Sequence, residues 1–332
     1  MAVLGRDTWV WHTCFAFFHV WHSIASRRVF FYTVNNPSLF YSGAFKDCKS
    51  EYLSKFRPGF VPVGFAQVGT LTQLPEHIDF PVIAKPDSGV TGLAIQRCDN
   101  IEELNDYLSR TGDLEIRIEE FLTAPLEFGL MFYYFPKTGD IELSLVEKRY
   151  PRVTGDGKRT LGALIHEAKD QNHRIRMREV KKRFADQLDQ VINEGQVIVL
   201  DYVGNASNGS TFHTIELPED HEKLKNFLKK ELYDHASICF TRMDIKANSL
   251  EDVYNGDFVM IEHNGVKSDP LQIHIKELPY ADRYKYYRHH WRVMREISNQ
   301  QRERGYRPAS FRQGIKEMRR QGKLYKKLTE LD

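Results

Sequence analysis

Beyond residue 61, short apolar runs of strand character alternate with longer stretches in which apolar residues return at helical spacing. Phe80-Pro81-Val82-Ile83-Ala84-Lys85-Pro86 reads as a short buried strand ending on a lysine. A small-residue turn, Asp87-Ser88-Gly89-Val90-Thr91-Gly92, leads to a second strand over 93–96 and a helix near 101–110. Residues 115–121 read as a strand running into a loop, and 128–135 with 141–146 as a hairpin about Lys137-Thr138-Gly139-Asp140. Residues 161–183 read as a charged helix, and 196–202 as a strand. A helix over 219–239 carries Leu224, Phe227, Leu228, Leu232 and Ala236. Two more strands, 240–245 and 258–262, are joined by a turn rich in Asn, Gly and Asp.

The region before residue 61 is different. Residues 8–26 hold no Asp, Glu, Lys or Arg and place Val10, Trp11, Cys14, Phe17, Phe18, Trp21, Ile24 and Ala25 on one broad helical face. His12, Ala16, His19, Ser23 and Ser26 form the other stripe. The stretch is too polar for a membrane span and its flanks are poor for a signal peptide. A helix packed on the domain, or lying in a membrane interface, fits it better. The β-prone run Val29-Phe30-Phe31-Tyr32-Thr33-Val34 is expected to be a strand, broken by Asn35-Asn36-Pro37.

Composition narrows the class. With 41% hydrophobic and 28% charged residues the chain has material for a real core, which excludes disordered and polytopic membrane proteins. The net charge of +2 gives no whole-chain argument for nucleic acid. Cys14, Cys48, Cys98 and Cys239 are dispersed, so neither a zinc ribbon nor a disulfide framework is suggested, and a reducing, cytoplasmic setting is expected.

The candidate chemistry lies at strand ends. A glycine-containing turn after Lys85 can fold over phosphates, because its backbone N–H groups are unobstructed, although such a turn is more often a plain hairpin. Asp244, Glu262 and Asn264 form a stronger set. Period two places Glu262 and Asn264 on one face, and pairing of their strand with that of Asp244 would bring three oxygen donors together. Such donors suit a hard ion such as Mg²⁺, and Arg242, two residues before Asp244, shares its face and could stabilise a transferring phosphoryl group. A solvated sheet face with satisfied carboxylates is the plain alternative.

Taken in order, these motifs resemble the ATP-grasp superfamily, and within it the D-alanine–D-alanine-ligase-like and cyanophycin-synthetase-like carboxylate–amine ligases. Lys85 at its strand end resembles the family's phosphate-contacting lysine, and Ser88 and Gly89 fall in what resembles its phosphate-covering loop. Glu119-Glu120-Phe121-Leu122 resembles the hinge whose backbone reads adenine, with Glu127 where the family has a ribose-binding glutamate. Asp47-Cys48-Lys49 looks like the upstream lysine motif. Arg242-x-Asp244 and Ile261-Glu262-His263-Asn264-Gly265 resemble the family's arginine and magnesium ligands. Tyr150-Pro151-Arg152-Val153-Thr154-Gly155-Asp156-Gly157-Lys158 and Asn205-Ala206-Ser207-Asn208-Gly209 resemble the cyanophycin synthetase branch. After Asn264 the sequence reads Gly265-Val266-Lys267-Ser268-Asp269-Pro270, where a D-alanine–D-alanine ligase has a Ser-Pro-Gly turn, which argues against D-alanyl-D-alanine as product.

The resemblance implies an α+β, ATP-grasp fold: an amino-terminal helix and short leading segment over 1–60, the ATP-grasp domain over 61–275 and a basic helical extension over 276–332. It implies ATP and Mg²⁺ as cofactors and an acyl-phosphate route to a C–N bond. Asp244, Glu262 and Asn264 would hold the metal, Lys49, Lys85 and Lys148 would neutralise phosphate, and Arg242 would stabilise the tetrahedral intermediate. A thiol acceptor, a small-molecule kinase and a non-catalytic nucleotide-binding module stand as alternatives. Expected partners are a small carboxylate and an amine, with a homodimer as a further expectation. Residues 283–327 carry ten arginines interleaved with Tyr284, Tyr286, Tyr287, Trp291, Tyr306, Phe311 and Tyr325. Packed helices are the plain reading of that tail; an anionic membrane surface, reached together with the amino-terminal helix, is the next, and nucleic acid the last.

Overall fold

The computed structural model describes residues 6–45, 48–88 and 93–331. The chain opens with helix α1 (Arg6–Ser26), two 3₁₀ turns (Phe31–Val34 and Phe40–Gly43) and a short helix α2 (Lys49–Leu53). A first lobe follows, made of β1 (Gly64–Gln67), β2 (Val82–Pro86), β3 (Gln96–Cys98), α3 (Ile101–Thr111) and β4 (Ile116–Glu120). The second lobe contains β5 (Leu126–Tyr134), β6 (Ile141–Arg149), β7 (Arg152–Thr154), α4 (Leu161–Gln171), α5 (Met177–Arg183), β8 (Val197–Val199), β9 (Thr211–Ile215), α6 (Glu222–Leu228), β10 (Phe240–Ala247), α7 (Leu250–Asn255) and β11 (Val259–His263). Two helices, α8 (Tyr280–Glu303) and α9 (Phe311–Thr329), end the chain.

The sheets are antiparallel, in the orders β1-β4-β2-β3 and β11-β10-β5-β6-β9, with β7-β8 as a small ribbon. This is the α+β class expected from the sequence. Each lobe has its own core because each sheet buries one face. In the first lobe Val82, Ala84, Ile116 and Ile118 pack on Leu104 and Leu108 of α3. In the second, Leu130, Phe132, Met243 and Ile245 pack against Leu224, Leu228 and Val253 of α6 and α7. Alternation leaves the opposite face of the second sheet to Glu127, Gly129, Arg242, Asp244 and Lys246. Helix starts are fixed locally: Asn100, Thr160, Ser249 and Ser310 each accept a backbone N–H at the amino end of their helix, a cap that contributes about 1 kcal/mol.

Several elements depart from the sequence expectation. The run at 29–34 is not a strand; it contains a 3₁₀ turn with Phe30, Phe31 and Val34 buried. Its neighbours explain this: Asn36 occupies the ladder groups at the start of β10, accepting from the N–H groups of Cys239 and Phe240 (both 2.9 Å) and donating to the Phe240 carbonyl (2.8 Å). The segment therefore plugs the strand end rather than extending the sheet. The expected strand at 93–96 begins only at Gln96, that at 196–202 is limited to Val197–Val199, and the helix at 161–183 breaks between α4 and α5. The helix expected over 219–239 starts at Glu222 and widens into a π-turn over Lys229–Asp234.

Helix α1 packs on the protein with only part of its apolar face. Trp11, Phe18 and His22 are buried against Tyr287 and Trp291 of α8, whereas Phe17, Val20, Trp21 and Ile24 are 57–71% exposed. No helix of the described residues is long and apolar enough to cross a membrane. Of the basic tail, α8 joins the main core through Tyr287, Trp291, Val293, Met294 and Ile297, while α9 meets Phe30 at Gly314, where a Cβ would lie 2.1 Å from the ring.

Candidate functional site

The polar face of the second sheet is organised in rows across the strands. Lys246, Glu127, Lys148 and Phe212 are successive cross-strand partners in β10, β5, β6 and β9. One row along lie Glu262, Asp244, Gly129 and Val146, and the next holds Arg242 opposite Met131. Cross-strand neighbours on one face approach within about 5 Å, so pairing alone forces these charges together. Gly129 keeps the floor open, because a Cβ there would meet Leu271 at 2.3 Å.

The facing wall belongs to the first lobe and α2. A cavity of ≈ 390 Å³ lies between them, lined among others by Lys49, Tyr52, Lys85, Glu119, Glu120, Phe121, Leu122, Gly204 and Asn205. That volume suits one small ligand. Lys85, buried, is ion-paired with Glu119 and donates across the gap to the Ile261 carbonyl of β11 at 3.2 Å. Arg117 holds the second oxygen of Glu119 at 2.8 Å.

Every strongly buried charge on the sheet is matched. Lys148 is clamped between Glu127 at 2.8 Å and Asp244 at 2.9 Å, and Arg242 reaches Asp244 at 3.1 Å. Burial opposes charge on Lys148, but Asp244 and Glu127 outweigh it and hold its pKa above the ordinary lysine value. Burial likewise opposes ionisation of Asp244, and Arg242 and Lys148 reverse that, so its pKa lies below the ordinary carboxylate value. Burial lowers the pKa of Lys246, against an opposing pull from Glu127. Glu127 also accepts from the Tyr150 hydroxyl, so its carboxylate is oriented from two sides. Glu262 differs: it lines the cavity, half-buried, and accepts no hydrogen bond from a described residue.

Of the residues singled out from sequence, Lys49, Lys85, Glu120, Phe121, Leu122, Glu127, Lys148, Arg242, Asp244, Glu262 and Asn264 line this one cavity. Asp244 and Glu262 are cross-strand partners, the pairing on which their meeting depended; Asn264 lies just beyond β11, its N–H bonded to the Arg242 carbonyl at 3.0 Å. Ser88 is not among the lining residues and contacts Cys48 Sγ at 3.4 Å. Gly89 and the rest of the turn at 89–92, like Asp47, lie outside the described residues. Sequence reading had not singled out Arg117, Lys246, Lys267 or Asp269 as site residues, and had placed Glu119 only in the hinge-like motif. Arg117 and Glu119 could have been found by their period-two spacing on the strand beside Lys85.

The donors of Asp244, Glu262 and Asn264 are oxygens, the type a hard cation takes. Among the described residues no three His, Cys, Asp or Glu side chains form a metal cage by themselves. A cation here would need oxygens from a bound ligand, as Mg²⁺ commonly takes from nucleotide phosphates.

No family model and no curated protein matches the chain. Solved structures similar to it include a bifunctional glutathione synthetase from Pasteurella multocida, at 19% identity over 65% of this chain and 32% of that one, TM-score 0.33. The D-alanine–D-alanine ligase from Bacillus anthracis complexed with ATP shows 14% identity over 77% of this chain and 65% of that one, TM-score 0.43. An L-amino acid ligase from Bacillus licheniformis shows 12% identity, 68% and 44% coverage and TM-score 0.38. The chain thus spans less than two thirds of the length of each of these three. Likeness at this level describes shape loosely and says nothing of substrate.

Proposed function

We propose that this protein is an ATP-grasp carboxylate–amine ligase that uses ATP and Mg²⁺. The observation that carries the reading is the sheet-face array Lys246–Glu127–Lys148, Asp244–Glu262 and Arg242, facing Lys85 and Lys49 across one cavity. Adenine would lie against the Glu120-Phe121-Leu122 connection between the lobes, with Glu127 turned to the ribose. Lys49, Lys85 and Lys148 would then meet the phosphates. For Lys85 and Lys148 the present carboxylate partners hold the ammonium groups in place without the ligand, so little reorganisation is needed there on binding. The oxygen donors fit Mg²⁺, and Glu262, Asp244 and Asn264 would hold it together with phosphate oxygens; when bound it supplies charge neutralisation at the phosphates.

The chemistry follows from that placement. A substrate carboxylate oxygen attacks the γ-phosphorus, the bond to the β–γ bridging oxygen breaks, and ADP leaves with that electron pair. The acceptor ammonium gives one proton to solvent, and the neutral amine attacks the acyl carbon; the carbon–oxygen bond to phosphate breaks with its electron pair leaving on phosphate, and the nitrogen's surplus proton goes to that phosphate. Arg242, held by Asp244 and by the Asp269 carbonyl, is positioned for charge that develops on the acyl oxygen.

Phosphorus NMR tests this on purified protein with ATP, Mg²⁺ and a pooled small-molecule extract. ADP and free phosphate appearing only with extract are the expected result; a persistent new phosphorylated compound would point to a kinase instead. A second measurement concerns Gly204, where a Cβ would lie 2.3 Å from Glu127 Oε1. Because Lys148 and Tyr150 fix that carboxylate, it cannot simply swing away. Overpacking of about 1–3 kcal/mol should weaken ATP binding in Gly204→Ala by about tenfold or more, read by calorimetry. Unchanged affinity would remove Glu127 from the nucleotide site.

A further inference from the structure

The polar face has a direction. The inter-lobe connection and the Glu127–Lys148–Lys246 row mark one end, and Arg242, four residues along β10 from Lys246, lies about 13 Å away at ordinary strand rise. At the Arg242 end of the face the turn after β11 brings in Asp269. Arg242 Nη1 donates to the Asp269 backbone carbonyl at 3.1 Å, and Asp269 lines the cavity. The preceding residue is pinned, Ser268 Oγ donating to the Gly265 carbonyl at 2.7 Å, so Asp269 is presented from a defined turn.

The carboxylates of this cavity divide into two kinds. Glu119, Glu127 and Asp244 are ion-paired, and Glu120 accepts from the Val63 N–H. Glu262 and Asp269 accept no side-chain hydrogen bond from a described residue, and both carboxylates favour the charged form of Arg242. Burial raises the Asp269 pKa to about 6, with Arg242 and then His12 opposing. A carboxylate kept in a cavity without a bonded cation is stabilised by a ligand that brings one. Glu262 has a candidate in the metal; Asp269, at the opposite end from the adenine connection, needs a different cation.

We propose that Asp269 is the binding group for the protonated amine of the acceptor, an alkylammonium held beyond Arg242 at the end of the cavity farthest from the inter-lobe connection. This rests on the ligase reading above and sharpens it. A carboxylate at this position favours an amine over a thiol or alcohol acceptor, which would offer it no charge.

The test uses the full chain with the non-hydrolysable nucleotide AMP-PNP and Mg²⁺. Ethylammonium, glycine and putrescine are titrated as probes, with ethanol as neutral control, by ligand-observed NMR. At least one ammonium probe should bind saturably and ethanol should not. Asp269→Asn, which keeps the shape, should weaken that binding at least tenfold while leaving AMP-PNP affinity within about twofold, and Asp269→Glu should restore part of it. Equal probe binding in wild type and Asp269→Asn, or no probe binding to wild type, overturns the proposal. Each titration is repeated without nucleotide. If AMP-PNP fails to bind, the ligase reading falls, while dependence of the probe on Asp269 still decides this inference separately.

Discussion

Glu262→Ala is expected to lose at least about 10²-fold in turnover, the usual scale for removing a group that stabilises transition-state charge, with its thermal melt and circular dichroism unchanged. Glu262 separates chemistry from folding better than its neighbours do. Removing Asp244 would strand Arg242 and leave Lys148 with Glu127 alone, and removing Glu119 would strand Lys85 and Arg117. Leaving a buried charge unpaired costs about 3–5 kcal/mol, so either variant confuses lost activity with lost structure. Glu262 accepts no hydrogen bond from a described residue, is half-buried, and loses only its place beside Arg242 and the cavity. Retained activity in Glu262→Ala, measured as ADP release at saturating Mg²⁺, would remove the metal-binding role from this strand end.

The second large effect is acid lability. His22, His263 and His290 are buried. Burial, helped by nearby cations, lowers their pKa values to about 4, 3 and 3. Depressed histidine values mean that the unfolded chain binds protons the folded chain refuses. Their stabilising contribution is complete above pH 6.5 and is lost as pH falls toward the folded values. Asp269 acts oppositely: with its pKa raised to about 6, the folded state binds its proton first. The net difference is two protons, or about 3 kcal/mol per pH unit between pH 6 and 4. A fall of about 4 kcal/mol from pH 7 to 5 is a large part of the stability of an ordinary domain. Urea midpoints at pH 7 and 5 measure it, and His263→Leu should flatten the slope by one proton's share. A midpoint that does not move with pH would show that these histidines titrate normally.

The charged face of the second sheet was legible because strand side chains alternate. Arg242, Asp244 and Lys246 lie at spacing two, so whichever sheet they joined, they had to share a side. The expectation that Asp244 and Glu262 would meet needed one further condition, pairing of two consecutive strands, which is the commonest outcome for neighbours in sequence. Glu127 and Lys148 belong to the hairpin about Lys137-Thr138-Gly139-Asp140, and its turn sets the register that brings them together.

Other features depended on distant neighbours. The run at 29–34 has the composition of a strand, but Asn36 ties the following segment to the end of β10, and the run turns instead. The helix at 8–26 was readable as amphipathic, yet which part of its apolar face is covered depends on Tyr287 and Trp291, more than 250 residues away. Asp269 sits in a turn with no periodicity, where sequence holds no record of which way a residue is presented. By itself, then, the sequence determined much of the alternation of elements and the shared face of the charged strand residues, because these follow from local spacing, while the α+β class was read from the order of the family-like motifs. The pairing of Lys85 with Glu119, the closure of one cavity between two sheets and the presence of Asp269 beside Arg242 were decided only by tertiary structure, because each joins residues through the packing of separate elements rather than through their order in the chain.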